Sequence, residues 1–190
     1  MVRWRPGTRE RLQQTALQLF ADRGYDETTV AEIAAAAEVT ERTFFRHFGD
    51  KREVLFGDQD GFLALFTDPV AAAPAGTPPL ELVDRALEAS AAFFPEERRA
   101  WSRARQRVID AVPALGEREL AKLANLKVHR ADALRAHGIT DPTATIAAET
   151  AVTVFHLSFA QWIADGETRD FRAVVQERLA ALTALVHPGR

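Results

Sequence analysis

Residues 28–51, TTVAEIAAAAEVTERTFFRHFGDK, predict two short helices joined by a tight turn. Thr29-x-x-Glu32 is a capping box, in which each residue can bond the other's backbone N–H, and it opens the first helix. A turn follows at Glu38, and Thr40 can cap the second helix. Two short helices around a tight turn are typical of a helix-turn-helix unit.

The second of these helices has two unlike sides. At about 100° per residue, one arc is aromatic and predicts the packing side: Phe44, Phe45 and Phe48. The opposite arc is polar: Arg42, Thr43, Arg46 and His47. An arginine can bind guanine O6 and N7 through two hydrogen bonds, and a threonine methyl can contact thymine, so this arc fits the DNA major groove. The pattern also suits a solvated amphipathic helix in any all-α domain, and that alternative stays open.

Further polar residues lie at helix starts or edges, where side chains and backbone N–H groups can meet phosphates: Thr29, Thr40, His47 and Lys51. Bulk charge gives this interpretation no support. The formal net charge of the chain is −3, and residues 1–51 contain eight Lys and Arg against eight Asp and Glu. DNA recognition would therefore depend on a few placed contacts.

Helical periodicity continues outward from this stretch and predicts an all-α fold of about nine helices. A first helix at 8–23 precedes the stretch, and Asp50-x-x-Glu53 opens a longer helix that runs to residue 66. Residues 67–79 form a Pro/Ala/Gly-rich connector. Further helices are predicted at 80–94, 96–111, 115–137, 142–165 and 168–186. We expect a helix-turn-helix DNA-binding domain over residues 1–50 and a helical domain over residues 51–190.

The segment 143–164 is apolar nearly all the way round, and Glu149 is its only charged residue. Its length would span a bilayer, but Glu149 would be costly there and no flanking pattern of anchors occurs. A helix that is apolar on every side usually lies between its own core and another surface. We therefore expect no membrane span, and a homodimer through the helices at about 142–165 and 168–186.

The run over residues 8–56, TRERLQQTALQLFADRGYDETTVAEIAAAAEVTERTFFRHFGDKREVLF, closely resembles the N-terminal signature of the tetracycline-repressor (TetR) family. The resemblance implies a homodimeric transcriptional regulator that binds a palindromic double-stranded DNA operator through three-helix heads. It also implies a C-terminal helical domain that binds a small-molecule effector and forms the dimer. A repressor released by its effector is the expected function. A transcriptional activator, or a helix-turn-helix protein that has lost DNA binding, is the alternative.

The resemblance assigns DNA contact to seven positions: Thr29, Thr40, Arg42, Thr43, Arg46, His47 and Lys51. Two positions depart from the family pattern. The family usually has Gly in the turn, where this chain has Glu38, so the turn must accept a side chain or change its geometry. The family usually has Tyr, whose phenol often reaches a phosphate, where this chain has Phe45. We assign Phe45 to apolar contact or to the core.

The identity of the effector does not follow from the sequence. Candidate pocket residues are the larger side chains of the second domain, with plain core packing as the alternative for each: Phe62, Phe66, Trp101, Phe155, His156, Phe159 and Trp162. A run of arginines over residues 98–107 favours a solvated, salt-bridged face, and the alternatives are a site for an anionic effector or a brace against the DNA-binding head.

We expect no catalytic residue, cofactor or metal. The chain has no Cys, no histidine has Glu three residues before it, and no Gly-rich phosphate loop occurs. A helical-bundle enzyme is the alternative, and these absences argue against it. No secretory signal is apparent at the N-terminus, so we expect a cytoplasmic protein.

Overall fold

The computed structural model describes residues 7–57 and 59–186. Over those residues the chain forms nine α-helices and one short 3₁₀ helix, without a strand, so the all-α prediction is confirmed. The α-helices are α1 Thr8–Arg23, α2 Val30–Ala36, α3 Glu41–His47, α4 Gln59–Ala71, α5 Pro79–Ala91, α6 Glu96–Ala111, α7 Pro113–Ala136, α8 Thr143–Trp162 and α9 Phe171–Val186, and the 3₁₀ helix is Arg52–Leu55.

The chain divides into two compact units. The first contains Met1–Gln59 and Ala104–Glu119, and the second contains Asp60–Arg103 and Leu120–Arg190. In the first unit, α1 packs against α2 and the 3₁₀ helix, and α2 packs against α3. Its core includes fully buried residues from each of these elements: Leu12, Ala16, Ile33, Phe44 and Val54. The division of function predicted at residue 50 stays a prediction.

The short helices of the first unit begin and end where the sequence signals predict. The N–H of Gly24 donates to the Phe20 carbonyl and ends α1 with a backbone φ of 90°. Thr29 and Glu32 form the complete capping box of α2. The hydroxyl of Thr40 accepts from the N–H of Thr43 at 3.2 Å and begins α3. These bonds satisfy backbone groups that would lack partners at helix ends.

The long helix predicted from Asp50 to residue 66 is wrong. The chain makes the 3₁₀ helix, leaves helical geometry at Gly57 with φ 69°, and begins α4 only at Gln59. Two side chains bond the carbonyls that a continuing helix would need. Gln13 Nε2 donates to the Val54 carbonyl at 3.1 Å, and Arg105 Nε donates to the Leu55 carbonyl at 2.7 Å. The prediction failed because these long-range hydrogen bonds replace the i to i+4 bonds.

In the second unit, α8 packs against α5 and α9. One side of α8 is buried along its length, from Ala144 through Val152 and Phe155 to Trp162. The predicted connector begins later than expected, because α4 runs through Pro69 to Ala71. No helix among the described residues is long and apolar enough to cross a membrane.

The run of arginines is largely structural rather than a solvated face. Buried Arg99 donates to the carbonyls of Glu167 and Arg169. Arg103 donates to the carbonyls of Ile163 and Ala164 at 2.7 and 2.9 Å. Both arginines therefore satisfy carbonyls at and beyond the C-terminus of α8, a region that favours positive charge. The preference for a solvated face was wrong for these positions.

Candidate nucleic-acid interface

The faces of α3 are divided as the sequence predicts, with one exception. Phe44 and Phe48 are buried, and their rings lie 5.4 Å apart between centroids. Arg42 and Arg46 are exposed on the other side, and Thr43 lies half-buried beside them. The packed phenylalanines hold the helix in the first unit, while both guanidinium groups remain accessible to a ligand. Arginines so placed on a short helix can form the two-bond contact with guanine.

The exception is Phe45, which is 53% exposed and therefore not a core residue. Its ring makes an edge contact with Phe44 at 5.5 Å, and its outer part faces solvent beside the polar arc. A 100° step places residue 45 on the flank of the helix rather than under it. Of the two roles predicted for Phe45, apolar contact remains. A phenyl ring at such an edge can contact a thymine methyl.

The turn between α2 and α3 is a Schellman motif that holds Glu38 in a left-handed conformation. The N–H of Val39 donates to the Ala34 carbonyl at 2.9 Å, and the N–H of Glu38 donates to the Ala35 carbonyl at 3.0 Å. Glu38 has φ 55°, and no other described non-glycine residue has a positive φ. This position normally takes Gly, because a Cβ is strained there. The turn therefore accepts the side chain without changing its geometry.

Helix α1 supports α3 and its neighbours through side chains that the sequence did not point to. Arg9 Nη1 donates to the His47 carbonyl at 3.2 Å, at the C-terminus of α3. Arg11 Nε donates to the Ala37 carbonyl at 3.0 Å, at the C-terminus of α2. Together with the Gln13 bond to the 3₁₀ helix, these contacts connect three successive elements to one helix. No periodic pattern in the sequence signals this role, because each bond joins residues that are 26 to 41 positions apart.

Lys51 has internal partners. Its Nζ donates to the carbonyls of Tyr25 and Thr28 at 2.8 and 2.9 Å and lies 4.1 Å from the centre of the Tyr25 ring. These bonds connect the loop before α2 to the segment after α3. Burial, with the charge of Asp50 next in importance, raises the pKa of Tyr25 to about 12. The ammonium group of Lys51 is thus part of the architecture of the first unit.

The other predicted edge residues are also partly engaged. The Thr29 hydroxyl accepts from the N–H of Glu32 in the capping box, and the hydroxyls of Thr40 and Thr43 lie 3.1 Å apart. The backbone hydrogen bond from Thr29 lowers the pKa of Glu32 and keeps that carboxylate charged beside the start of α2. His47 is half-buried, and its Nε2 has no hydrogen-bond partner in the described chain. Arg42, Phe45 and Arg46 are all exposed on this surface.

The predicted effector residues lie in the second unit, but only some of them contact one another. Phe62, Phe66 and Phe155 contact one another, with ring centroids 5.2 to 5.7 Å apart, and Phe159 lies 6.2 Å from Phe155. Trp162, another of the predicted residues, also joins this cluster, and three aromatic residues that were not predicted extend it: Phe93, Phe94 and Phe171. His156 is exposed, and the described contact of the half-buried Trp101 ring is with Arg98 at 5.3 Å. No group of three His, Asp or Glu residues that could hold a metal occurs in the described chain.

Residues 12–56 match the family model described as bacterial regulatory proteins, tetR family. The transcriptional regulator TcmR of Streptomyces glaucescens is 43% identical over 82 residues, which make up 43% of this chain and 36% of TcmR. The chain therefore spans about a third of the length of that relative.

Solved structures extend the likeness over almost the whole chain. FadR of Thermus thermophilus, a TetR-family repressor solved in complex with lauroyl-CoA, is 25% identical with a TM-score of 0.53, over 92% of this chain and 93% of FadR. A putative TetR-family regulator from Syntrophomonas wolfei has a TM-score of 0.62 over 94% of each chain, and its 16% identity shows a shared fold alone. Residues 12–56 thus form a DNA-binding segment of the tetR family of bacterial regulatory proteins, and the chain as a whole has the fold of solved members of that family.

Proposed function

We propose that this protein is a ligand-responsive transcriptional repressor. It binds a palindromic DNA operator in the cytoplasm as a homodimer, and a small-molecule effector releases it. The observation that supports DNA binding most directly is on α3, where Arg42 and Arg46 are exposed opposite the buried Phe44 and Phe48. The helical-bundle enzyme is set aside, because the family and the named relatives are regulators.

In this proposal two groups of residues meet the DNA. Arg42, Thr43 and Arg46 read base edges in the major groove, where bidentate arginine contacts discriminate guanine. The remaining predicted residues set the position on the phosphate backbone without reading sequence: Thr29, Thr40, His47 and Lys51. Lys51 acts through its positive charge and by stabilising the first unit, because its ammonium already donates to two backbone carbonyls.

Selection of bound sequences from random DNA tests the proposal and yields the half-site. Arg42→Ala and Arg46→Ala should each weaken binding to the selected site by about 5- to 150-fold and relax specificity at one base pair. Arg85→Ala is the matched control, since it removes an exposed arginine paired with Glu81 in the second unit. Equal losses for all three variants, or no selected sequence at all, would contradict the proposal.

The homodimer is proposed through α8 and α9. Exposed apolar side chains remain on both helices of the described chain, with Ile146 61% and Leu157 52% exposed on α8 and Leu185 exposed near the end of α9. The residues Ile146, Thr153, Leu157 and Ala160 follow one helical stripe, which a second copy could cover. Leu157→Glu should convert dimer to monomer in light scattering after size exclusion. Leu120→Glu, which changes a 67% exposed leucine of α7, should not.

The effector is proposed to bind in the second unit, in or beside the aromatic cluster of Phe62, Phe66, Phe155 and Phe159. The complex of FadR with lauroyl-CoA supports this role, because the two proteins share the fold over most of their length. An effector releases DNA only if it binds the two conformations with different affinity. Because the chain leaves helical geometry at Gly57, no continuous helix over residues 50–66 can transmit the effector's change of conformation to the first unit. Instead, α6 and α7 each supply residues to both units.

Transcription from a template that contains the selected operator decides between repression and activation. A repressor should lower transcript yield in proportion to operator occupancy, and the effector should restore it. A rise in transcript with occupancy would support the activator, which is the alternative within the same family.

A further inference from the structure

Arg130 is a charged side chain inside the core of the second unit. It lies on α7 and is only 1% exposed, between Leu126 and Leu134, which are buried one turn away on either side. None of its three guanidinium nitrogens has a hydrogen-bond partner in the described chain. Its guanidinium lies over the face of Phe66, 5.2 Å from the guanidinium carbon to the ring centre. Five N–H donors and one positive charge thus have no acceptor among residues 7–57 and 59–186.

This arrangement is costly for a protein with no bound partner. Buried charges are ordinarily paired with an opposite charge, and breaking such a pair leaves a strongly unfavourable site. Burial lowers the pKa of Arg130 to about 10, so the group stays charged at neutral pH. Hydrogen bonds from a neutral molecule could satisfy the donors, but only an anion also neutralises the charge. The site therefore favours an anionic occupant.

The surroundings of Arg130 suit the rest of such a ligand. Phe66 lies against the guanidinium and also contacts Phe62 and Phe155. Phe62 is only half-buried, so this chain of rings leads from the surface of the second unit to the buried charge. On α8, Ser158 Oγ and Trp162 Nε1 are also buried without a partner in the described chain, one turn apart on the same face. Unmet polar groups thus occur on two helices of one aromatic core.

We infer that the second unit binds an organic carboxylate with an apolar body, whose carboxylate pairs with Arg130 while its body packs against Phe62, Phe66 and Phe155. A planar guanidinium can bond both carboxylate oxygens, and that bidentate geometry is the strongest available to the pair. The inference names the chemical class of the proposed effector and so rests on the proposed function for its regulatory meaning. The binding site itself stands on the geometry around Arg130.

Two matched probe pairs test the inference in the absence of DNA: 2-naphthoate against 2-naphthylmethanol, and decanoate against 1-decanol. Each pair keeps the apolar body and changes only the charged group. Isothermal titration with the 190-residue chain should show at least one acid bound roughly 30-fold more tightly than its alcohol, since a buried charge-assisted pair is strong. Equal binding of acid and alcohol in both pairs, or no binding of either acid, would overturn the inference.

Arg130→Met and Arg130→Lys separate charge from geometry. The Met variant should lose the preference for the acid, and the Lys variant should keep part of it, because an ammonium retains the charge without the planar fork. Leu126→Met, a buried neighbour on α7, should leave the preference unchanged. An acid preference that persists in Arg130→Met would show that the carboxylate binds elsewhere.

Operator binding is measured in parallel for the same proteins. If the acid binds through Arg130 but no DNA sequence is selected, the repressor proposal fails and the carboxylate site stands. If the operator is bound but Arg130→Met leaves the acid preference intact, the carboxylate site fails and the repressor proposal stands.

Discussion

Replacement of Arg130 by methionine should stabilise the ligand-free protein, whereas most substitutions of fully buried side chains destabilise. In the folded state burial lowers the pKa of this guanidinium from its ordinary value to about 10. For a base, a lower pKa in the folded state means that folding disfavours the charged form. The penalty is therefore fully present at every pH below about 10 and is relieved only as the pH rises above about 10 towards the ordinary pKa of an arginine. Neutral buffer lies well inside the penalised range.

The size of the folding penalty follows from the lowered pKa of Arg130. At about 1.4 kcal/mol for each tenfold change in proton affinity, the lowered pKa corresponds to about 3 kcal/mol of unfavourable free energy. Methionine gives up the contact of the cation with the Phe66 ring, worth about 1 kcal/mol, and fills similar space with a flexible apolar chain. The free energy of unfolding should therefore rise by about 2 kcal/mol. For a chain of this length that is roughly 4–8 °C in melting temperature.

Urea unfolding of protein dialysed free of organic acids, followed by circular dichroism at neutral pH, measures the change. Leu126→Met is the control, because it alters a buried residue of the same helix without a change in charge and should cost less than about 1.5 kcal/mol. The slope of the free energy of unfolding against urea concentration must be the same for the parent protein and both variants, so that a shift of the urea midpoint reports a change in stability. An Arg130→Met protein less stable than the Leu126→Met control would refute the reasoning, since Arg130 would then have a favourable partner.

Further expectations concern the first unit. Glu38→Gly should raise the free energy of unfolding by about 0.5–1 kcal/mol, because the relief of left-handed backbone strain exceeds the added entropy of the unfolded chain. Gly138 occupies the same position of an equivalent motif after α7, so Gly138→Ala should lower the free energy of unfolding. Changes of the same sign in the two variants would contradict the argument. Lys51→Met should destabilise the protein by about 2 kcal/mol in urea unfolding through the loss of two charge-assisted bonds, whereas unchanged stability with weaker DNA binding would assign the ammonium to a phosphate. Phe45→Ala should alter stability by less than about 0.5 kcal/mol but weaken operator binding about 5-fold in a titration, and equal affinity would remove Phe45 from the interface. Tyr25 is the single tyrosine, so phenolate absorbance should titrate near pH 12 in the folded protein and near pH 10 in denaturant. Because the pKa is higher in the folded state, the free energy of unfolding should fall as the pH rises from about 10 to about 12. Coincident titration midpoints would be inconsistent with the burial of Tyr25.

Helix ends and the packed side of α3 could be predicted because they depend on neighbours in sequence. The capping box at Thr29 and the stop at Gly24 use bonds within four residues. Phe44 and Phe48, four residues apart, share one side of any helix that contains them, and both are buried. Phe45 lies at the flank, where periodicity alone does not distinguish a buried ring from an exposed one.

The sequence by itself determined the all-α fold, the boundaries of the short helices and the polar arc that contains Arg42 and Arg46. All three follow from local hydrogen bonds and from the helical repeat. Only the tertiary structure decided the break at Gly57, the internal partners of Lys51 and the isolation of Arg130. Each of these depends on side chains and carbonyls that are distant in sequence, or on the lack of an acceptor nearby in space, and no periodic pattern encodes either.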